Sequence, residues 1–272
     1  MVLIRQNQPT EANCSIYEPL ACLILRGVKE IRVGDEVVRA GAGDLLVGSH
    51  EVPIITRVVE ASASAPYTAV VVPIDTAALR GLHEQVGRRK RDESAAMKVA
   101  PAEAEIVDCL ARYLSLADDV TDSRVLEPLL WTELHYRLLN AASGAMLSQL
   151  LSIDSHASRI TEAIALIRAS IDTPLIVADI AATVGMSASS FHGHFKTVTG
   201  TSPLRFQKDL RLVEARRLLD AGGKNAGEVA HEVGYRSASQ FSREYRRKFG
   251  VSPSSQLAMD LTEFSQSSHS PP

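Results

Sequence analysis

A stretch near the end of the chain carries one pattern twice, and it constrains the fold more than any other feature. The first pass reads Asp179-Ile180-Ala181, Val184-Gly185, Phe191, Phe195-Lys196, Gly200 and Ser202-Pro203. The second reads Glu228-Val229-Ala230, Val233-Gly234, Phe241, Tyr245-Arg246, Gly250 and Ser252-Pro253. The offset is 49 residues up to the internal glycine and 50 beyond it, so the second copy holds one extra residue in its turn. In the first copy Val177, Ile180, Ala181 and Val184 share a helix face. Gly185 supplies the positive φ common just past a helix end, and Ser187 is placed to cap the next helix. Phe191 and Phe195, four apart, lie on one face of that helix. In the second copy Val229, Ala230 and Val233 make the face, Gly234 ends the helix, Ser237 caps the next, and Phe241, Tyr245 and Phe249 form its stripe. A single unit of this kind is equally an ordinary helical hairpin. Two in register point to paired helix-turn-helix units, whose second helices enter the DNA major groove.

These residues resemble the AraC/XylS family of bacterial transcription regulators, over roughly Ile160 to Ala258. The most specific part is Gln240-Phe241-Ser242-Arg243-Glu244-Tyr245-Arg246-Arg247-Lys248-Phe249-Gly250-Val251-Ser252-Pro253. Ser202-Pro203 and Glu214-Ala215-Arg216-Arg217-Leu218-Leu219 match as well. The resemblance implies sequence-specific binding of double-stranded DNA.

A length of 272 residues suits two domains. Hydrophobic content of 45% and charged content of 22% are those of a globular protein. No run of 18 apolar residues suggests a membrane span. Met1-Val2-Leu3-Ile4-Arg5 gives way at once to polar residues, unlike a secretory signal. Cys14, Cys22 and Cys109 form no metal-ligand pattern and read as reduced thiols, so a cytoplasmic location is expected. The net charge of -3 argues against nucleic acid, but its distribution argues the other way. Residues 159–272 hold 14 Lys+Arg against 11 Asp+Glu, and residues 1–158 hold 15 against 21. A positive module joined to a negative one suits a DNA reader with a different function at its other end.

The fold class expected is α+β: an N-terminal antiparallel β-barrel with helices, then an all-α part with two helix-turn-helix units. Residues 1 to about 18 read as an irregular arm. From Leu20 to Pro73 short apolar or alternating runs are punctuated by turns, of which Gly34-Asp35 is a two-residue hairpin signal. This region resembles the cupin-like N-terminal domain of one AraC-family subgroup, on Arg32-Val33-Gly34-Asp35, Gly43-Asp44 and Val58-Val59-Glu60-Ala61-Ser62. Cupin enzymes hold a metal with a His-X-His pair, a carboxylate and a later histidine. Here His50 is the only histidine among the strands, so no metal, no cofactor and no enzyme are expected. A barrel of this kind holds a small molecule in its mouth. Cys22 and His50 are the candidates to face it, Cys22 as a sensor of electrophiles or simply as a buried core thiol.

Residues 87–98 read as a surface linker containing Arg88-Arg89-Lys90-Arg91. Helices are expected over 103–116, over 126–139 with Pro128 in the first turn, and over 146–153. They pack on the barrel or also form a dimer interface. The domain division expected is 1–153 for sensing and dimerisation and 159–260 for DNA binding, with a disordered tail over 261–272.

One helix, about Leu204 to Leu219, joins the two units. Its charges Arg205, Lys208, Arg211, Arg216 and Arg217 are divided between phosphates and pairing with Asp209 and Glu214. Base-reading candidates are Ser189, Ser190 and His192 in the first unit and Ser239, Gln240 and Arg243 in the second. Phosphate candidates are Ser187, Lys196, Ser237, Arg246, Arg247 and Lys248. The repeat sets Gly193 against Arg243, where members of the resembling subgroup often carry arginine. The reading is a ligand-responsive, homodimeric transcription regulator with an unidentified small-molecule effector, RNA polymerase as a further partner, and no membrane role. Two others stay open: a regulator without ligand, controlled by abundance or a protein partner, and a barrel enzyme targeted by its DNA-binding module.

Overall fold

The structure, a computed structural model, describes residues 1–86, 95–118, 120–151 and 155–256. The basic run Arg88-Arg89-Lys90-Arg91 and the tail over 261–272 lie outside the described residues. The N-terminal part opens with β1 (Val2–Gln6), β2 (Asn13–Tyr17), β3 (Leu20–Arg26), β4 (Val28–Val33) and β5 (Glu36–Ala40). It continues with β6 (Asp44–Gly48), β7 (Val52–Glu60), β8 (Tyr67–Pro73), α1 (Thr76–Val86) and β9 (Met97–Pro101). Then come α2 (Ala104–Ser115), α3 (Val120–Asn140) and α4 (Gly144–Leu151).

The strands pair antiparallel into two sheets, β1-β8-β3-β6-β9 and β2-β7-β4-β5. They pack face to face. Ile31, Val33, Val52, Ile54 and Val58 of one sheet meet Cys22, Ile24, Leu46, Tyr67 and Ala69 of the other in a single core. The ladders of the described residues do not close into a ring, so the expected barrel is an open two-sheet sandwich. The larger sheet is covered on its other face too. Ala21, Leu23, Leu45, Val47, Val70 and Val72 pack against Leu79, Ile106, Leu110, Leu134, Leu138 and Leu147 of the helices. A strand buried on both faces needs apolar residues at every position, which is why Ala21 to Ile24 reads as a run rather than an alternation.

The hairpin at Gly34-Asp35 forms as its sequence predicts, with Val33 opposite Glu36 and Gly34 at φ 58°. Residues 1–18 depart from the expected irregular arm: β1 pairs with β8 and β2 with β7. Both are edge strands with little burial of their own, so their ladder partners, not their local pattern, make them strands. Helix α3 begins several residues before the expected start and carries Pro128 inside it. Pro128 lies on the exposed side, where water can serve the carbonyl left without its helical donor.

The C-terminal part is helical: α5 (His156–Ala169), α6 (Val177–Thr183), α7 (Ala188–Thr199), α8 (Pro203–Asp220), α9 (Ala226–Glu232) and α10 (Ala238–Phe249). Helix α8 serves two cores. Phe206 and Leu210 pack with Ala181, Val184, Phe191 and Phe195 of the α6–α7 unit and with Ile160, Ile164 and Ile167 of α5. Leu212, Ala215 and Leu219 pack with Val229, Ala230, Val233, Phe241 and Tyr245 of the α9–α10 unit.

The first unit is docked on the sandwich. The Ala96 amide donates to the Val198 carbonyl at 2.8 Å. Asp35, at the hairpin tip, pairs with Arg205 at 2.8 Å. Gly34 sits against the backbone of Gly200, so closely that a Cβ there would come within 2.4 Å of the Gly200 carbonyl oxygen.

Candidate nucleic-acid interface

Each helix-turn-helix is built by the local signals of its sequence. Gly185 and Gly234 take φ 67° and 84° in the turns. The Ser187 hydroxyl accepts from the Ser190 amide and the Ser237 hydroxyl from the Gln240 amide, each at 3.3 Å, which caps α7 and α10. Gly200 and Gly250 end the same helices in the left-handed conformation. Tilted and edge-to-face ring contacts set the rotation of each helix about its axis: Phe191 with Phe195 and Phe195 with Phe206 in the first unit, Phe241 with Tyr245 and Tyr245 with Phe249 in the second. With those rings buried, Ser189, His192, Gly193 and Lys196 of α7 are exposed and Ser190 is half-buried. On α10, Ser239, Gln240, Arg243, Arg246 and Arg247 are exposed. A Cβ built on Gly193 would meet nothing within 4 Å.

Lys248 departs from the phosphate-facing role expected of it. Its ammonium bonds Asp209 at 2.5 Å, and its side chain is only 12% exposed. Charges of the connecting helix are paired too, though Arg205 and Arg217 stay more than half exposed. Arg205 goes to Asp35, Arg217 to Glu214 at 2.6 Å, and Arg216 lies over the Phe249 ring at 5.1 Å. Arg211 donates to the carbonyls of Ile171, Thr173 and Gly234, tying the entrance of the first unit to the turn of the second. Burial holds its guanidinium below the usual arginine range.

Glu244, which the base-reader reasoning passed over, is a hub. One carboxylate oxygen accepts from Lys208 at 3.0 Å and from the Gln240 amide at 3.2 Å, and the other accepts from the Tyr235 hydroxyl at 2.9 Å. Burial raises this carboxyl, but the donors outweigh it and leave it below the ordinary value, so it stays ionised. The spacing of Gln240 and Glu244, four apart on a helix, is the signal that would have found the pair.

The two ligand candidates of the N-terminal part are both inside. Cys22 is 2% exposed, and burial pushes its thiol up. His50 is a tie rather than a ligand group. Its Nε2 donates to the Ala157 carbonyl at 3.3 Å, and its Nδ1 accepts from the Ser49 hydroxyl at 2.7 Å, so both ring nitrogens are used. Burial lowers its pKa from 6.5 to about 4. Among the described residues no three His, Cys, Asp or Glu side chains gather as a metal site. No described helix is long and apolar enough to cross a membrane.

Paired helix-turn-helix units on a shared strut, docked on a β-sandwich, define a class of chain whose helical half presents two recognition helices. Residues 1–146 match the family model for the N-terminus of AraC-type transcriptional regulators, and residues 180–258 match a helix-turn-helix domain model. The chain belongs to the AraC-type transcriptional regulators. It is 38% identical over 87 residues to a probable thc operon regulatory protein of Rhodococcus erythropolis, covering 31% of this chain and 26% of that one. It is 35% identical over 104 residues to the transcriptional regulator YidL of Escherichia coli, covering 38% and 35%. The match thus spans about a quarter to a third of each relative's length. In fold the chain is similar to ToxT of Vibrio cholerae, with a TM-score of 0.59 at 14% identity over 95% of this chain and 97% of that one. It is similar too to ToxT with an unsaturated fatty acid bound, with a TM-score of 0.58 at 12% identity over 94% of each.

Proposed function

We propose that this chain is a sequence-specific, double-stranded-DNA-binding transcription regulator. The observation that carries this reading is the pair of helix-turn-helix units set in register on one 18-residue helix. At 1.5 Å per residue α8 is about 27 Å long. With the width of the flanking units it allows α7 and α10 to enter successive major-groove segments, about 34 Å apart. Ser189, Ser190, His192, Ser239, Gln240 and Arg243 then face base edges. Ser187, Lys196, Ser237, Arg246 and Arg247 face phosphates. The working division is residues 1–153 for sensing and 159–260 for DNA, in a cytoplasmic regulator without enzymatic activity.

The N-terminal part controls it by binding a small molecule inside the sandwich. Lys29 supports this. It is a buried lysine on the inner face of β4, whose ammonium donates to the Tyr17 hydroxyl. No carboxylate among the described residues pairs with it. A buried charge without a counter-ion is costly. Nearby, the Thr56 hydroxyl is buried without a hydrogen-bond partner among the described residues. An organic anion seated there would satisfy the ammonium, and the fatty acid carried by ToxT is one molecule of that kind.

Dimerisation through α2 and α3 is supported by their exposed apolar residues, Val107 and Leu114 on one helix and Val125, Leu129 and Tyr136 on the other.

The test is selection of genomic fragments by the full chain, followed by binding to a selected duplex and to its scrambled counterpart. Preference for the selected duplex, falling steeply with salt, is expected. Equal affinity for both duplexes would overturn the reading. For the effector, thermal shift against organic acids should raise the melting point of the chain and not of Lys29→Met.

A further inference from the structure

The second unit contains a base reader whose orientation is set before any DNA arrives. Gln240 is exposed in the first turn of α10, and its amide nitrogen donates to Glu244. A carboxylate can only accept, so the amide has one orientation: nitrogen toward Glu244, oxygen away from it. Glu244 lies one turn further along the helix. The Gln240 oxygen therefore points toward the helix start, the end that contacts base edges in a helix-turn-helix. Glu244 cannot swing to follow a flipped amide. Lys208 from α8 and Tyr235 from the turn hold both its oxygens, and its side chain is only 12% exposed.

An unrestrained glutamine can turn either its donor or its acceptor to a base. We propose that Glu244 is a positioning residue for base reading: it turns the Gln240 carbonyl oxygen to the groove, so that Gln240 selects an exocyclic amino group and rejects a keto group. Adenine fits best, since its N6 amino group donates to the oxygen and its N7 accepts the second amide hydrogen. Guanine O6 and thymine O4 would face the oxygen acceptor to acceptor. This inference rests on the reading of α10 as a recognition helix.

The test uses the full chain on a selected duplex, varying each base pair under the second unit one at a time. One position should favour adenine over guanine by about tenfold, the size of a bidentate contact. Gln240→Ala should remove that preference. Glu244→Gln, which can accept or donate, should reduce it to threefold or less, leave the other positions and the salt slope unchanged, and add nothing in the Gln240→Ala background. The unaltered chain should lose about the same factor when purine, which lacks the amino group, replaces that adenine. This last measurement does not depend on any variant folding. A preference that survives Glu244→Gln, or equal binding of purine and adenine, would overturn the proposal while leaving DNA binding intact. So would a uniform loss at every position, which is what a merely structural role gives. No specific binding by the unaltered chain would overturn the functional reading, and this proposal with it.

Discussion

Replacing Gly193 by arginine would place a side chain where the structure leaves open space. A Cβ there meets nothing within 4 Å, and Gly193 lies in the middle of α7 without a positive φ. Glycine at such a position costs a helix about 1 kcal/mol relative to a good helix former. Gly193→Arg should therefore stabilise the fold by up to about 1 kcal/mol, raising Tm by about 2–4 °C in a chain of this size. The repeat places position 193 where the second unit has Arg243. A guanine contact there would add about 1–3 kcal/mol of discrimination at one base pair. A phosphate contact would instead add about 0.9 to the salt slope, which is roughly a further threefold loss of affinity between 50 and 200 mM salt. The assay is fluorescence anisotropy on operators scrambled under one unit at a time, at several salt concentrations. Gly193→Ala serves as the control, because it keeps the helix gain and lacks the charge. The unaltered chain should lose more from scrambling under the second unit, and Gly193→Arg should narrow that difference. A higher Tm with weaker binding by both variants would refute this reasoning and show that the bare glycine backbone approaches DNA.

Arg243→Ala should cost about 1–3 kcal/mol of specific binding and relax selectivity at one base pair, read by the same anisotropy series. His50 gives a pH dependence whose sign follows from its depressed folded-state value. The unfolded chain binds the proton first, so stability is full above pH 6.5 and falls as the pH drops toward 4, by about 3 kcal/mol from this group. Urea unfolding across that range should show the slope, and His50→Gln should flatten it; an unchanged slope would assign the effect elsewhere. Gly34→Ala should cost more than the roughly 1–2 kcal/mol of left-handed strain, because its Cβ also strikes Gly200. Hydrogen exchange should then quicken at the Ala96 amide, which bonds the first unit at Val198; full protection there would mean that the hairpin tip does not hold the joint.

What the sequence determined by itself was whatever neighbours along the chain can settle. The two helix-turn-helix units follow from apolar residues three and four apart, a glycine free to take positive φ, and a serine one residue before each recognition helix. Gly34-Asp35 makes its hairpin for equally local reasons, and the buried rings of Phe191, Phe195, Phe241 and Tyr245 decide which faces of α7 and α10 are left outside. Tertiary structure decided what depends on partners far away in sequence. Strands β1 and β2 exist because β8 and β7 offer them open ladders, which nothing in residues 1–18 announces. The sheets stay open because pairing, not composition, closes a barrel. His50, a possible ligand group by type, is used up by Ser49 and a carbonyl more than a hundred residues away. Lys248, a cation by sequence, is drawn inward by Asp209. Gln240 was legible as a candidate reader, but the direction of its amide was not. That direction is set where Lys208 and Tyr235, from two other elements, meet on one carboxylate, because a side chain's free orientation is removed only by packing and hydrogen bonds that the folded chain brings together.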